Sequence, residues 1–561
     1  MKKDISRRDF LKLAATGAVG VTTMGLLGAC GTPAQTPAPT AAAAAEASDW
    51  LGKEPQIADK EIVATHDYEV VVVGCGTAGT FAACSAVDEG AKTVLLEKLG
   101  ANFGGSGIRD TIAALGSKQQ IANKDNPDKF DVLHLMYNHS QGYGDQRLFK
   151  VWAENSGEMM DWYTERMAAH DVKIMHEVDN HKLGERYEFY DVGHSIQWEG
   201  KEYKSQFTMN LLLDDYKKKG LEVFYDTEMI KLVKDGNKVV GIITKTKDGY
   251  VRYNASKGVI LCTGGYSNNT DMLKALQPET LEMSGVNYSF PGSLGQGIKA
   301  CLWAGGVMDV THSGMIFDRA CVKPDATGPK DAGWFWMGSQ PFLKVDLTGK
   351  RFTNESGCYD HVLHDAFNLL PDHTYATIWD SKYTEDIKRF ESHGCSRLYP
   401  HANGTESVFP MEYIQNVMNP DLQKKGYIVQ ADTIEELAQK LNLPVENFKA
   451  TVDRYNALFD KKNDEDFGKE PFRLSALRTA PFYGTRQSGG YFICTMDGIK
   501  INTDINAIDD KGNAIEGLYV AGDCSGGYFS GSYVNLLGGA AAGRSTTFGR
   551  LAGRNAARRK V

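Results

Sequence analysis

The segment Asp67–Glu97 constrains this chain most. A β-branched run, Asp67-Tyr68-Glu69-Val70-Val71-Val72-Val73, is followed at once by Gly74-Cys75-Gly76-Thr77-Ala78-Gly79. A helical stretch from Thr80 to Glu89 comes next, then the apolar run Lys92-Thr93-Val94-Leu95-Leu96, closed by Glu97. Strand, glycine turn, helix, strand and acid stand in that order, with 23 positions from Gly74 to Glu97. Such a unit binds a dinucleotide. The glycines let backbone N–H groups approach a pyrophosphate at the positive end of the helix, and the carboxylate takes ribose hydroxyls. G-x-G-x-x-G alone is a weak signal; the strand–helix–strand context makes it specific.

Two later segments return to the same site. Lys257-Gly258-Val259-Ile260-Leu261-Cys262-Thr263-Gly264-Gly265 is an apolar strand ending in a glycine turn. Glu516-Gly517-Leu518-Tyr519-Val520-Ala521-Gly522-Asp523 is another, and Gly538-Gly539 then opens a helix rich in Ala and Gly. A chain that comes back to its cofactor near the C-terminus is expected of an FAD protein rather than of a nicotinamide dehydrogenase. No second G-x-G-x-x-G follows a strand, so reducing equivalents are expected from an external donor of membrane quinol or cytochrome type.

Composition narrows the class. Hydrophobic residues make up 42% and charged residues 24% of 561, which is a globular balance. The net charge of −9 offers no basic face for nucleic acid. Glycine, at 59 residues, is dispersed as cofactor turns would have it. The ten cysteines form no C-x-x-C pair, so disulfide, zinc-finger and c-type haem frameworks are not indicated and no metal is expected. Residues 1–30 read as an address: Ser6-Arg7-Arg8-Asp9-Phe10-Leu11-Lys12 is a twin-arginine pattern, and Leu27-Gly28-Ala29-Cys30 resembles a lipobox with Cys30 as the lipidated residue. Residues 31–62 then form a flexible linker. The chain is expected to be exported with its cofactor already in place, and either to be cleaved free of its signal or to be held at a membrane surface through a lipid on Cys30. Removing the signal, with five basic and two acidic side chains, leaves a net charge near −12.

The Gly74–Glu97 unit, Cys262-Thr263-Gly264-Gly265, Gly349-Lys350-Arg351-Phe352-Thr353-Asn354-Glu355 and Gly517–Gly522 together resemble the FAD-dependent fumarate reductase/succinate dehydrogenase flavoprotein superfamily. The resemblance covers about 65–558. It implies an α/β fold, a Rossmann-like FAD-binding domain (63–312 and 491–561) interrupted by an α+β clamp domain at 313–490, with a small-molecule substrate held between clamp and flavin. The candidate cofactor-binding residues are Gly74, Gly76, Thr77, Ala78, Gly79, Glu97, Lys98, Gly105, Ser106, Thr263, Gly264, Gly265, Asp523, Gly538 and Gly539. The covalent-flavin histidine of the respiratory enzymes has no counterpart in Gly104–Arg109, which implies non-covalent FAD.

The active-site positions depart from fumarate chemistry. The arginine expected after Asn354-Glu355 is read as Tyr359. The family's His-Thr-Met-Gly-Gly is read as Cys494-Thr495-Met496-Asp497-Gly498, and its Arg-Leu-Gly-Gly as Leu536-Leu537-Gly538-Gly539. Each replacement removes a cationic or ionisable partner that a dicarboxylate needs, at ~1.5–3 kcal/mol per charged hydrogen bond. Asn-Glu-Ser-x-x-Tyr-Asp resembles instead the 3-ketosteroid dehydrogenase branch. That resemblance gives Tyr359 the proton exchanged with substrate and Tyr533 the polarisation of its carbonyl, although Tyr533 is one position off the expected spacing. A neutral, bulky enone or unsaturated lactone is the expected substrate. Alternatives are a dehydrogenase of a ketosteroid-like compound, a reductase of another unsaturated acid (fumarate or urocanate type) using cationic groups not recognised in the sequence, and a non-catalytic electron-transfer lipoprotein. His361 and His364 either tune Tyr359 or sit on a solvated face. Gly333-Trp334-Phe335-Trp336-Met337 faces either a bulky apolar substrate or the clamp core.

Overall fold

Four consecutive valines, Val70 to Val73, are buried to 4% exposure or less, as only a strand covered on both faces allows. They end the strand Ile62–Val73, the middle of an eight-stranded sheet in a computed structural model that describes residues 49–101, 111–179, 186–187, 189–197, 207–391, 396–407 and 409–560. Along this sheet run Asn506–Ile508, Ala514–Val520, Gly249–Leu261, Ile62–Val73, Thr93–Leu96 and Glu222–Phe224. The pairings from Ala514–Val520 through Glu222–Phe224 are all parallel. The turn after Ile62–Val73 needs glycine for two separate reasons. Gly74 has φ +99°, and a Cβ there would lie 2.2 Å from the Cys262 carbonyl oxygen; a Cβ on Gly79 would lie 1.8 Å from the Gly74 carbonyl oxygen. The helix Thr77–Asp88 therefore packs directly onto the strand, and the last helix, Ala540–Arg558, closes over it.

The chain leaves this layer along Gly314–Phe317 and Ala320–Val322 and returns along Phe482–Ser488 and Gly490–Thr495. The two passages pair antiparallel with each other. Between them lies a six-stranded sheet, Gly333–Trp334, Ala320–Val322, Phe482–Ser488, Thr374–Asp380 and Leu343–Asp346 in order, with Ile428–Ala431 also on Phe482–Ser488. Every pairing in it is antiparallel. It carries apolar clusters of its own, one around Leu343, Ile378, Phe448 and Tyr455 and another around Phe335, Phe342, Trp379 and Phe390. The architecture is thus an α/β cofactor fold interrupted by an α+β segment.

Among the described residues no helix is long and apolar enough to cross a membrane. The twin-arginine pattern, Cys30, Gly105 and Ser106 lie outside the described residues.

Candidate active site

Parallel strands end at a common edge, and there the structure opens a cavity of about 370 Å³. Gly74, Gly76, Thr77, Ala78, Glu97, Lys98, Thr263, Gly264, Asp523, Gly538 and Gly539 line it. Gly79 and Gly265 do not. Gly79 stands behind Gly74, and Gly265 packs so tightly on Thr495 that a Cβ would meet its hydroxyl at 1.9 Å, so both shape the wall from behind.

This lining fits a dinucleotide. Two helices begin at the cavity, with Gly76 and Gly539 as N-caps that have no side chain to cap with, so the helix starts present backbone N–H groups to the cavity, the Ala541 N–H of the second being taken by the Tyr533 phenol. Glu97, 7% exposed, accepts from the backbone N–H groups of Cys75 (2.8 Å) and Leu99 (2.9 Å), which fixes its carboxylate at the wall with lone pairs left for ribose hydroxyls. Lys98 donates to Gln296 Oε1 at 2.8 Å, and burial pushes its ammonium below the usual lysine range. Asp523 is held by the buried Arg544 at 2.6 Å. Arg544 was not foreseeable from motif spacing: it stands in an Ala/Gly-rich helix that reads as packing.

The other half of the wall comes from the interrupting segment and the strands leading into it. Tyr359 is the first residue of the helix Tyr359–Leu369, 8% exposed, and its phenol oxygen accepts from the Ser396 N–H at 3.2 Å. Tyr533, 7% exposed, accepts from the Ala541 N–H at 3.2 Å, at the start of the last helix. Both rings pack on Phe317, at 5.1 and 5.9 Å between centroids, so the structure brings the two tyrosines to one wall. Cys494 lines the cavity too, but Asp497 turns away into a buried network with Tyr266 (2.8 Å), Gln277 (2.6 Å) and His312 (2.7 Å).

Several wall residues carry no sequence motif. Arg319, 1% exposed, lines the cavity with its guanidinium 3.7 Å from the centroid of the Trp336 ring and 5.2 Å from that of Tyr359. Its Nε donates to Ser339 Oγ, which in turn donates to Asp318. Tyr288, Trp334 and Tyr491 stack on one another at 4.9–6.2 Å, and Phe409 lies against both tryptophans. Gly333–Met337 serves two faces across the junction of the two-residue strand Gly333–Trp334 and the 3-10 turn Trp336–Ser339. Trp334 and Trp336 line the cavity, while Phe335 and Met337 are fully buried. The indole N–H groups of both tryptophans and Oδ1 of Asn535, another lining residue, are buried with no hydrogen-bond partner in the protein. Donors and an acceptor left open at a cavity wall are the mark of a ligand site. His361 is exposed and stacks on His139.

A family described as FAD binding domain matches residues 69–540. Vinyl phenol reductase of Lactiplantibacillus plantarum is 28% identical over 88% of this chain and 97% of its own. Fumarate reductase (cytochrome) of Shewanella frigidimarina is 29% identical over 91% of this chain and 79% of its own. In fold, 3-ketosteroid-Δ4-(5α)-dehydrogenase of Rhodococcus jostii, solved with 4-androstene-3,17-dione, superposes with a TM-score of 0.65 at 20% identity, covering 88% of this chain and 97% of that one.

Proposed function

The chain belongs to the FAD-binding-domain family, the fumarate reductase-like flavoproteins that act on CH–CH bonds, and from that footing we propose that it reduces a C=C bond conjugated to a carbonyl or phenol in a flat, largely apolar molecule. The chain is an FAD-dependent oxidoreductase; the substrate, the direction and the residue roles below are the proposal. One observation carries it. Two phenols from distant segments meet on Phe317, in the wall of the cavity into which the cofactor cradle opens.

FAD held by the Gly74–Glu97 cradle, once reduced by an external donor, would supply a hydride equivalent for the double bond. The protein supplies the rest. Tyr359 gives its proton to one carbon of that bond; an ordinary phenol, near pKa 10, carries that proton at neutral pH. The oxygen left behind already accepts from Ser396 N–H, which favours negative charge there. Tyr533, braced by the Ala541 N–H, holds the substrate oxygen on which charge collects. The aromatic wall of Tyr288, Trp334, Trp336, Phe409 and Tyr491 excludes water and stacks against a planar body. A steroid-like enone, an unsaturated lactone and a vinyl phenol all answer this description, the last supported by the relative of that name. Non-covalent FAD, a clamp role for 313–490, an external quinol or cytochrome donor, and export by the twin-arginine route with a lipid on Cys30 belong to the same proposal, the export part resting on Ser6–Lys12 and Leu27–Cys30.

Arg319 favours a second reading, an unsaturated carboxylate whose ring stacks on the tryptophans. It is the cationic wall group that sequence reading did not find. The test is anaerobic. The protein is reduced with viologen and its reoxidation followed with a 4-ene-3-ketosteroid, an unsaturated lactone, 4-vinylphenol, cinnamate, urocanate and fumarate. Fast reoxidation by the neutral compounds is expected. Reoxidation by cinnamate or urocanate alone selects the second reading, and by fumarate alone sinks both.

A further inference from the structure

Behind the tyrosines lies a group of side chains the proposed reaction does not use. Cys358 is the N-cap of the helix Tyr359–Leu369 and His361 is its third residue, with His361 N–H donating to the Cys358 carbonyl at 3.0 Å. These are the two positions that a capping box occupies. No hydroxyl or carboxylate fills the cap here. A thiol and an imidazole stand there instead, and His139, the last residue of the helix Lys129–His139, comes up against them with its ring stacked on His361 at 5.8 Å. The donor atoms of His139, Cys358 and His361 all lie within 4.8 Å of one another.

We propose that His139, Cys358 and His361 form a binding site for a zinc-class divalent transition-metal ion, with water or an added ligand in the fourth position. The donor set, two imidazoles and a thiolate, is the one such ions prefer. Bonds of ~2.0–2.1 Å to nitrogen and ~2.3 Å to sulfur put tetrahedral donors ~3.5 Å apart, so the three close on an ion by moving about 1 Å. Two neighbours point the same way. Nε2 of His139 is bonded to Ser532 Oγ at 2.8 Å, a contact that fixes its ring as the orienting partners of metal-bound histidines do. Asp360, 2% exposed, has one carboxylate oxygen on the Tyr533 N–H at 3.1 Å and the other unpartnered, and its charge acts on His139. Cys358 is a free, buried thiol, whereas His361 is exposed and gives an ion its way in. The site also has a place in the architecture. Tyr359 follows Cys358 in the chain, and Ser532 and Asp360 hold the turn that carries Tyr533, so an ion here braces both phenols at once.

Cobalt(II) tests this on the full-length, FAD-loaded protein after chelation. One equivalent is expected to produce a thiolate-to-cobalt charge-transfer band and tetrahedral d–d bands to the red of the flavin, with zinc(II) bleaching both. Cys358→Ser should abolish the charge-transfer band. His361→Ala and His139→Gln should each weaken cobalt binding by at least about tenfold with FAD content unchanged. Absence of the charge-transfer band in the wild type, or its persistence in Cys358→Ser, overturns the site. Should Cys358→Ser fail to retain FAD, the two histidine variants decide, and unchanged cobalt affinity in both is equally fatal to it.

Discussion

Tyr359→Phe removes one oxygen from a side chain that is 8% exposed and leaves its packing in place. The ring keeps its edge contact with Phe317 at 5.1 Å and its place beside the Arg319 guanidinium at 5.2 Å. The phenol's bond to Ser396 N–H is lost, and because Ser396 is 2% exposed its donor is left without water. That costs ~1–3 kcal/mol of stability, a small upset for a chain of this size. Proton donation is worth much more in rate. General acid catalysis contributes ~10²–10⁴-fold, equal to ~3–5 kcal/mol of barrier. The variant should therefore fold, keep its flavin spectrum and melt within a few degrees of wild type, while stopped-flow reoxidation by its best acceptor slows by at least about a hundredfold. A rate within about tenfold of wild type, at equal flavin content, would refute the proton-donor role.

Arg319→Gln should lower kcat/KM for cinnamate by more than about tenfold while a neutral enone changes little, and an unchanged ratio of the two in steady-state assays rules Arg319 out as the carboxylate partner. Gly74→Ala places a Cβ 2.2 Å from the Cys262 carbonyl oxygen at φ +99°, so the protein should purify without flavin absorbance. A third expectation concerns acid. Burial would raise the Glu355 carboxyl, but Lys469 and Arg351 hold it below the usual carboxylate range. The stability this contributes is complete above the unfolded glutamate value near 4.3 and is lost as pH falls toward the lower native one. Arg351→Met should cost ~3–5 kcal/mol at neutral pH and flatten the acid limb of the melting profile; an unchanged limb would show that other carboxylates set it.

The cofactor half was legible because its requirements are local. A backbone that passes hard against the Cys262 carbonyl admits only glycine at 74, a helix that packs on the Gly74 carbonyl admits only glycine at 79, and the acid must fall where the second strand ends. The substrate wall is different. Phe317 and Tyr491 are joined by antiparallel pairing between segments far apart in the chain, Trp334 pairs with Ala320, and Arg319 and Phe409 stand outside any strand, so no spacing announces them together. Asp318-Arg319 reads as a polar break between two apolar strands, yet both residues are almost fully buried. Gly333–Met337 reads as either wall or core, and the junction of a short strand with a 3-10 turn makes it both. The thiol and imidazole at 358 and 361 were visible one by one; what joins them to His139 is a helix more than two hundred residues earlier.

The two strands that lead into the interrupting segment and the two that lead out form one paired ribbon. Beyond that ribbon lies a cassette whose seam with the cofactor half also includes Ala402 N–H on the Val178 carbonyl, Arg397 on Asp179 and Asp360 on the Tyr533 N–H, so a recombination that exchanges it has to keep these contacts as well. Tyr359 travels with the cassette and Tyr533 stays behind. Phe317, on the strand at the seam, is where the two must meet again, so the fit against one phenyl ring decides whether a grafted substrate specificity arrives with a working proton donor.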